Sequence, residues 1–131
     1  MPYSVLRHDD QAWEERPPIS EGGATRDTLD VTTPTGLAQS RARMWRLRPG
    51  SRGRRHAERA QEEVFVVVSG RLTMLLGDPP DRVEVSTGEI VAVQPGTGIQ
   101  MHNTGDADVV VFAYGAPPVR GEVDYLDDVE L

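Results

Sequence analysis

Short apolar segments separated by Gly- and Pro-rich turns run through most of this chain, and this rhythm constrains the fold most strongly. From Leu37 onward, segments such as EVFVVVSG, RVEVS and VVVFAYG alternate with turns such as DPPD, PGTG and TGDAD. About eight short strands at spacings of about 8 to 12 residues favour an antiparallel sandwich or barrel. No segment of ten or more residues has a convincing helical period, and DYLDDVEL is the remaining candidate for a short helical turn. We therefore predict an all-β protein.

The chain of 131 residues has the length of one compact domain, and its composition divides it into three parts. Residues 1–36 are rich in Pro, Gly, Asp and Thr, which predicts an extended N-terminal arm with one or two short strands and no helix. Residues 37–116 carry the strand pattern and are expected to form a barrel. Residues 117–131 form an acidic C-terminal tail.

Two segments, VFVVV and VVVFAY, are apolar on both faces. A strand with one solvated face is expected to alternate between apolar and polar residues, so both faces of these strands need cover. One face can fill the barrel interior. The other requires a second sheet, the N-terminal arm or a partner subunit, and on this ground we predict a homodimer.

Composition excludes several function classes. The chain has no cysteine, which excludes disulfides, thiolate metal sites and cysteine nucleophiles. Its net charge of −7 argues against nucleic-acid or anionic-membrane partners for the molecule as a whole. The N-terminus lacks the pattern of a signal peptide, and the longest apolar runs, about five residues, are far short of the roughly 20 that span a bilayer. We expect a cytoplasmic protein.

The basic residues are unevenly placed. Eight of the 14 lie between residues 41 and 59, and most of the C-terminal segment RGEVDYLDDVEL is acidic. Charge runs are usually solvated faces, so one interpretation is an exposed strand face paired with acidic segments, within the chain or across a dimer. The other interpretation is an anion-binding mouth of a pocket.

The segment GSRGRRHAERAQEEVFVVVSG, residues 50–70, resembles the first motif of the cupin superfamily of small β-barrels. That motif runs Gly, five residues, His, one residue, His, three or four residues, Glu, six residues, Gly. Gly50, His56, Glu63 and Gly70 match it, and Glu58 stands where the motif has its second histidine. The resemblance implies a cupin-type antiparallel β-barrel, a jelly-roll-like double sheet, with the extended arm at its N-terminus.

Residues 88–103, within GEIVAVQPGTGIQMHNTGDAD, resemble the second cupin motif: Gly, five residues, Pro, one residue, Gly, two residues, His, three residues, Asn. Gly88, Gly96 and Asn103 match this motif, whereas Gln94 replaces its proline and Ile99 its histidine. Cupins that bind iron, manganese, nickel or zinc usually present three histidines and one glutamate from the two motifs. The resemblance therefore implies a metal site of which two imidazoles are missing here.

Strand alternation indicates where the side chains of these motifs point. Residues two apart in a strand share a face, so His56 and Glu58 are expected to point into the barrel. Ile99 and Met101 are expected to face them from the opposite strand, while His102 points outward. His56, Glu58 and Glu63 can then hold a divalent metal (Mn, Fe, Ni or Zn) or form a metal-free polar cluster. We assign no cofactor and keep the metal as the alternative.

Three functions remain open. The first is a small-molecule-binding cupin with a pocket inside the barrel, whose candidate catalytic groups for proton transfer are His56 and Glu63. The second is a metal-dependent cupin enzyme, an oxygenase or an isomerase or epimerase, that uses His56, Glu58 and Glu63. The third is a non-catalytic dimerisation or sensor module. The predicted pocket residues are Trp45, Arg54, His56, Glu58, Glu63, Ile99 and Met101.

Overall fold

A computed structural model describes residues 2–119 and 121–131. In this part of the chain eleven strands are joined by turns, together with a 3-10 turn at His8–Asp10 and one short helix, α1. The strands and the helix are β1 (Glu14–Arg16), β2 (Arg26–Asp30), α1 (Thr32–Thr35), β3 (Arg41–Leu47), β4 (His56–Glu58), β5 (Glu62–Ser69), β6 (Arg71–Gly77), β7 (Pro80–Ser86), β8 (Ile90–Val93), β9 (Gly98–His102), β10 (Val109–Ala116) and β11 (Val123–Tyr125). No helix in the described residues has the length and apolar character needed to cross a membrane.

The strands form two antiparallel sheets. The first has six strands in the order β1-β2-β3-β10-β5-β8, and the second has five in the order β11-β4-β9-β6-β7. Eight strands, β3 to β10, lie between residues 37 and 116, as the turn pattern predicts. The all-β, jelly-roll-like prediction is confirmed.

The hydrophobic core lies between the two sheets. Leu47 and Val111 of the first sheet belong to the same buried cluster as Leu72, Met74 and Ile99 of the second. The inward-facing residues of both sheets therefore pack face to face, as expected for a double-sheet fold. This packing fixes which face of every strand points inward, and so positions the site described below.

The strands that are apolar on both faces have one buried and one partly exposed face. In β5, Phe65 and Val67 are buried, whereas Val64 and Val66 on the opposite face are only partly buried. Met44, Phe112, Val66 and Ile90 are direct cross-strand neighbours on four adjacent strands of this outside surface, which we term the outer row. Ile90 is 66% exposed. The described part of one chain thus leaves the outer row partly uncovered.

The N-terminal segment contributes two strands to the first sheet. β1 pairs with β2, and β2 pairs with β3, in agreement with the prediction of one or two short strands. The prediction that this segment has no helix is wrong for one turn, α1. Gly36 ends that turn with φ 70°, and its N–H donates to the carbonyl oxygens of Thr32 and Thr33. Met1 of the predicted arm lies outside the described residues.

The acidic C-terminal segment forms a strand, not the helical turn that DYLDDVEL allowed. β11 pairs with β4, with Tyr125 opposite His56 and Val123 opposite Glu58. The Leu126 N–H donates to the Arg55 carbonyl oxygen, and the Arg55 guanidinium donates to that of Asp127. These long-range hydrogen bonds take the place of the i to i−4 bonds of a helix. Arg120 of the predicted tail lies outside the described residues.

Most of the clustered arginines between residues 41 and 59 are paired with acidic residues of the same chain. Six of the eight have a carboxylate oxygen within 4.0 Å in the described structure: Arg41 with Glu58, Arg46 and Arg48 with Asp27, Arg52 with Asp128, Arg55 with Asp78 and Arg59 with Asp124. The predicted pairing with acidic segments fits these six, but the predicted exposed face does not include Arg55, which is buried, or Arg41, which lines the cavity described below. Arg43 and Arg54 are different, because no described carboxylate lies that close to them.

Candidate functional site

A cavity of about 890 Å³ lies between the sheets. Its walls include all seven residues that the sequence predicts for a pocket: Trp45, Arg54, His56, Glu58, Glu63, Ile99 and Met101. His102 is not among the lining residues, in keeping with the alternation in β9. The volume is within the range of about 300 to 1,000 Å³ that is usual for small-molecule sites.

His56, Glu58 and Glu63 converge in this cavity from two strands. His56 and Glu58 are two residues apart in β4 and so share a face, while Glu63 is near the start of β5 in the other sheet. One potential ligand atom from each of the three residues lies within 4.8 Å of the other two. Ile99 is the direct cross-strand partner of His56 and supplies an apolar wall.

Glu58 is neutralised by an arginine. The Arg41 guanidinium donates to Glu58 Oε1 at 3.0 Å, and its Nε donates to Gln61 Oε1 at 3.1 Å. The Glu58 side chain is only 6% exposed, whereas the Arg41 side chain is 36% exposed, so the carboxylate is the shielded partner of this ion pair. A buried carboxylate requires such a partner, because transfer of an unpaired charge from water is strongly unfavourable.

Glu63 has no comparable partner. Its Oε1 is buried and makes no hydrogen bond to any described residue. Burial raises the pKa of Glu63 from 4.5 to about 7, with a further contribution from the negative charge of Glu58 that outweighs the opposing effect of Arg41. Near neutral pH this carboxyl group is present in both its protonated and its charged form.

The His56 ring is oriented by a hydrogen bond to a nearby backbone carbonyl group. Its Nδ1 lies 2.9 Å from the Arg54 carbonyl oxygen, and because a carbonyl oxygen only accepts, Nδ1 carries the proton and donates. In the neutral ring, Nε2 then holds a lone pair. It lies 3.7 Å from Glu58 Oε1, too far for a hydrogen bond. His56 therefore presents a free nitrogen that can accept a proton or bind a cation.

Three arginines and a tyrosine of the cavity were not predicted. Arg41 and Arg43 lie on the same side of β3 as Trp45, and alternation around Trp45 would have identified them. Arg26 and Tyr125 carry no local signal, because long-range pairing of β2 and β11 brings them to the cavity. Tyr125 is stacked by the Arg54 guanidinium, whose Cζ is 3.7 Å from the ring centroid.

The comparisons with known proteins agree on the fold. A family model described as "Cupin domain" matches residues 43–114. A sugar phosphate isomerase from Silicibacter pomeroyi, of the cupin superfamily, has a similar structure: TM-score 0.77, 23% identity, 95% of this chain and 83% of that chain covered. No curated protein matches the sequence.

Two further solved structures have the same fold but are described with different activities. The polyketide cyclase RemF from Streptomyces resistomycificus has a TM-score of 0.76 and 21% identity, over 97% of this chain and 87% of that chain. A predicted oxalate decarboxylase from Thermotoga maritima has a TM-score of 0.74 and 18% identity, over 87% of this chain and 99% of that chain. At these identities the likeness concerns the fold, and the activity has to be argued from the site.

Proposed function

Because this chain belongs to the cupin family, we propose that the cavity between its sheets binds a small molecule whose polar end meets Glu63 and His56. The apolar wall of Ile99 and Met101 would hold the carbon skeleton of the ligand. In this proposal Glu58 is not a ligand-binding group, because Arg41 already occupies it. Proton transfer to or from the ligand is the chemistry that Glu63 and His56 can support.

The observation that carries the proposal is the unpartnered oxygen of Glu63. Buried polar atoms in folded proteins nearly always have a hydrogen-bond partner, and each exception calls for an explanation. Glu63 Oε1 is such an exception among the described residues, and it belongs to a residue that lines the cavity. A hydroxyl or N–H group of a ligand would satisfy it.

The pKa of Glu63 supports the same proposal. A general acid or base is most effective when its pKa is close to the working pH, and burial raises the pKa of Glu63 to about 7. His56 Nε2 offers a second proton acceptor nearby. The pair matches the two candidate catalytic groups that the sequence suggests.

Binding of a panel of polyols, aldoses and short carboxylic acids, measured by thermal shift and calorimetry, tests the proposal. We expect at least one compound to bind, and Glu63→Gln to weaken that binding about tenfold or more, because the amide changes the hydrogen bonds that Glu63 offers. Glu62→Gln is the matched control, since Glu62 is exposed on the opposite face of β5. A panel without binders, or equal binding by both variants, contradicts the proposal.

A metal-dependent enzyme is the second candidate, and the clustering of His56, Glu58 and Glu63 favours it. One imidazole nitrogen and two carboxylates suit Mn, Fe, Ni or Zn, and the His56 Nδ1–H bond to a backbone carbonyl is typical of a metal-bound histidine. A bound ion would supply Lewis acidity. It would compete with Arg41 for Glu58.

Metal content per subunit, measured by plasma mass spectrometry on untagged protein after mild dialysis, separates the two candidates. Close to one equivalent of a single metal would make the metal-dependent enzyme the better explanation. A value near zero, unchanged after incubation with Mn, Fe, Ni and Zn salts, would support the metal-free pocket.

A further inference from the structure

Two arginines beside Trp45 form a second polar region of the cavity, separate from Glu63. Arg43 and Trp45 are two residues apart in β3 and share its inner face, and Arg26 is at the start of the neighbouring strand β2. The guanidinium carbon of Arg26 is 5.2 Å from the Trp45 ring centroid, and that of Arg43 is 5.9 Å from it. All three residues line the cavity.

These two guanidinium groups lack a neutralising carboxylate. Within the described residues, no Asp or Glu oxygen lies within 4.0 Å of the guanidinium nitrogens of Arg26 or Arg43. The six paired arginines each have such an oxygen within that distance. Arg26 Nη1 donates to the Arg52 carbonyl oxygen at 2.9 Å, and Arg43 Nη1 donates to Thr28 Oγ1 at 2.9 Å. Arg26 Nε is buried and has no described acceptor at all. Each group thus has spare donors, and no described carboxylate is in ion-pair contact with either.

The surroundings make this charge unfavourable in the free protein. Burial lowers the pKa of both Arg26 and Arg43, and the positive charge of Arg16 contributes in each case. Asp30, the cross-strand partner of Arg43, also lines the cavity, and its negative charge and that of Glu14 partly oppose this effect for Arg43. Both arginines stay charged at neutral pH. An anion in the cavity would compensate the charge of Arg26 and what remains of the charge of Arg43.

We propose that Arg26 and Arg43, with Trp45 as an apolar platform, form a subsite for an anionic group of the cavity ligand, a carboxylate or a phosphate. Guanidinium groups bind both anions through paired N–H donors. The inference rests on the proposed function, because it assumes that the same ligand reaches Glu63.

The sheet register gives the spacing of the two ends of the ligand. Gly115 of β10 pairs with both Arg41 and Glu63, and Ala113 pairs with both Arg43 and Phe65. Arg43 is therefore one inward-facing position further along the sheet than Glu63 and two strands away from it, which places the two backbone positions about 7 Å apart along the strands and about 10 Å apart across them. The ligand would carry its anionic group several bonds away from the hydroxyl or carbonyl group that meets Glu63.

Titration of the protein with inorganic phosphate and, separately, with acetate tests the subsite, with chloride adjusted to keep ionic strength constant. Calorimetry or NMR shifts report the affinity. We expect at least one anion to bind and Arg43→Gln to weaken it about tenfold or more, with Arg26→Gln as the second variant. Arg71→Gln is the control, since Arg71 is 69% exposed on β6 and does not line the cavity. Whichever anion binds more tightly identifies the chemistry.

The outcomes separate this inference from the proposed function. Anion binding that is lost in Arg43→Gln but kept in Arg71→Gln supports the subsite, even if Glu63→Gln has no effect on any neutral compound. Anion binding that is equal in all variants means an adventitious ion only and overturns the subsite. No anion binding by the unmodified protein also overturns it, and binding of neutral compounds through Glu63 would then remain as evidence for the proposed function alone.

Discussion

Of the two glutamates of the cavity, only Glu58 has a cation within hydrogen-bond distance. Glu58 is held by Arg41 at 3.0 Å, whereas Glu63 has a buried oxygen without a partner. Burial, and after it the negative charge of Glu58, raise the pKa of Glu63. The arginine at Glu58 therefore helps to determine which of the two acids is available for chemistry.

The pH dependence of stability is expected to reveal this state of Glu63. The folded protein keeps the Glu63 proton up to about pH 7, whereas the unfolded chain loses it near 4.5. Over that window the folded state binds more protons, so the free energy of unfolding falls as pH rises, by on the order of 3 kcal/mol at most. This contribution is complete below pH 4.5 and is lost as pH passes through about 7.

Urea unfolding at a series of pH values measures the effect. Glu63→Gln removes the titrating group, so we expect its free energy of unfolding to decline less between pH 5 and 7.5 than that of the unmodified protein. Glu62→Gln should keep the original slope, because Glu62 is exposed. Parallel curves for all three proteins would show that Glu63 titrates as an ordinary surface acid.

The hairpin between β5 and β6 depends on a glycine for two reasons. Gly70 has φ 91°, and a Cβ at this position would be 2.7 Å from the Asp108 carbonyl oxygen and 3.1 Å from Val109 Cα. Both obstacles are backbone atoms, which cannot rotate away. Gly88 has a similar φ of 84° but open space around its Cβ position. The turn at Gly70 is therefore fixed by contact with the β10 region as well as by its dihedral angle.

We expect Gly70→Ala to destabilise the protein by roughly 3 kcal/mol or more, and Gly88→Ala by roughly 1 kcal/mol. The strain of a positive φ is shared by both variants. The difference between their losses of unfolding free energy therefore comes from the clash of the new Cβ with the backbone at Gly70. Equilibrium urea unfolding of the two variants gives this difference directly. Similar losses in both would mean that β10 can move away from the hairpin.

Local patterns predict the elements of this fold well where the strands alternate, and poorly where pairing is long-range. The eight strands β3 to β10 and the inward direction of His56, Glu58, Ile99 and Met101 follow from alternation and motif spacing. β11 is only three residues long and exists because it pairs with β4, about 65 residues away in the chain. For the same reason the approach of Arg26 and Tyr125 to the cavity has no sequence signal. The single turn of α1 depends on the local cap at Gly36.

The outer row makes self-association the natural expectation for the whole molecule. Met44, Phe112, Val66 and Ile90 form a continuous apolar line across four strands, and Val68 nearby is 48% exposed. We propose that two copies of the chain pack these sheet faces together as a homodimer. A second copy presents the same apolar line, so the contact can be symmetric and closed.

Light scattering coupled to size-exclusion chromatography tests the homodimer. We expect the unmodified protein to elute with twice the chain mass, and Val66→Lys to shift it to the monomer, because a lysine in an apolar interface loses its hydration. Val5→Lys makes the same change at a residue that is 58% exposed outside the two sheets, and should leave the dimer intact. A monomer at all concentrations, or a dimer unaffected by Val66→Lys, would contradict this arrangement.

Ile99 limits how readily this site could gain a second histidine. It stands at the position where the second cupin motif has a histidine, it pairs with His56, and at 2% exposure it belongs to the buried apolar cluster between the sheets. A histidine at this position would place a polar ring in packing that now holds a branched hydrocarbon. Accommodating that ring would then require compensating changes at neighbouring positions as well. Because Glu58 also stands where the first motif has a histidine, a single substitution at this position is not expected to complete the ligand set of the two cupin motifs.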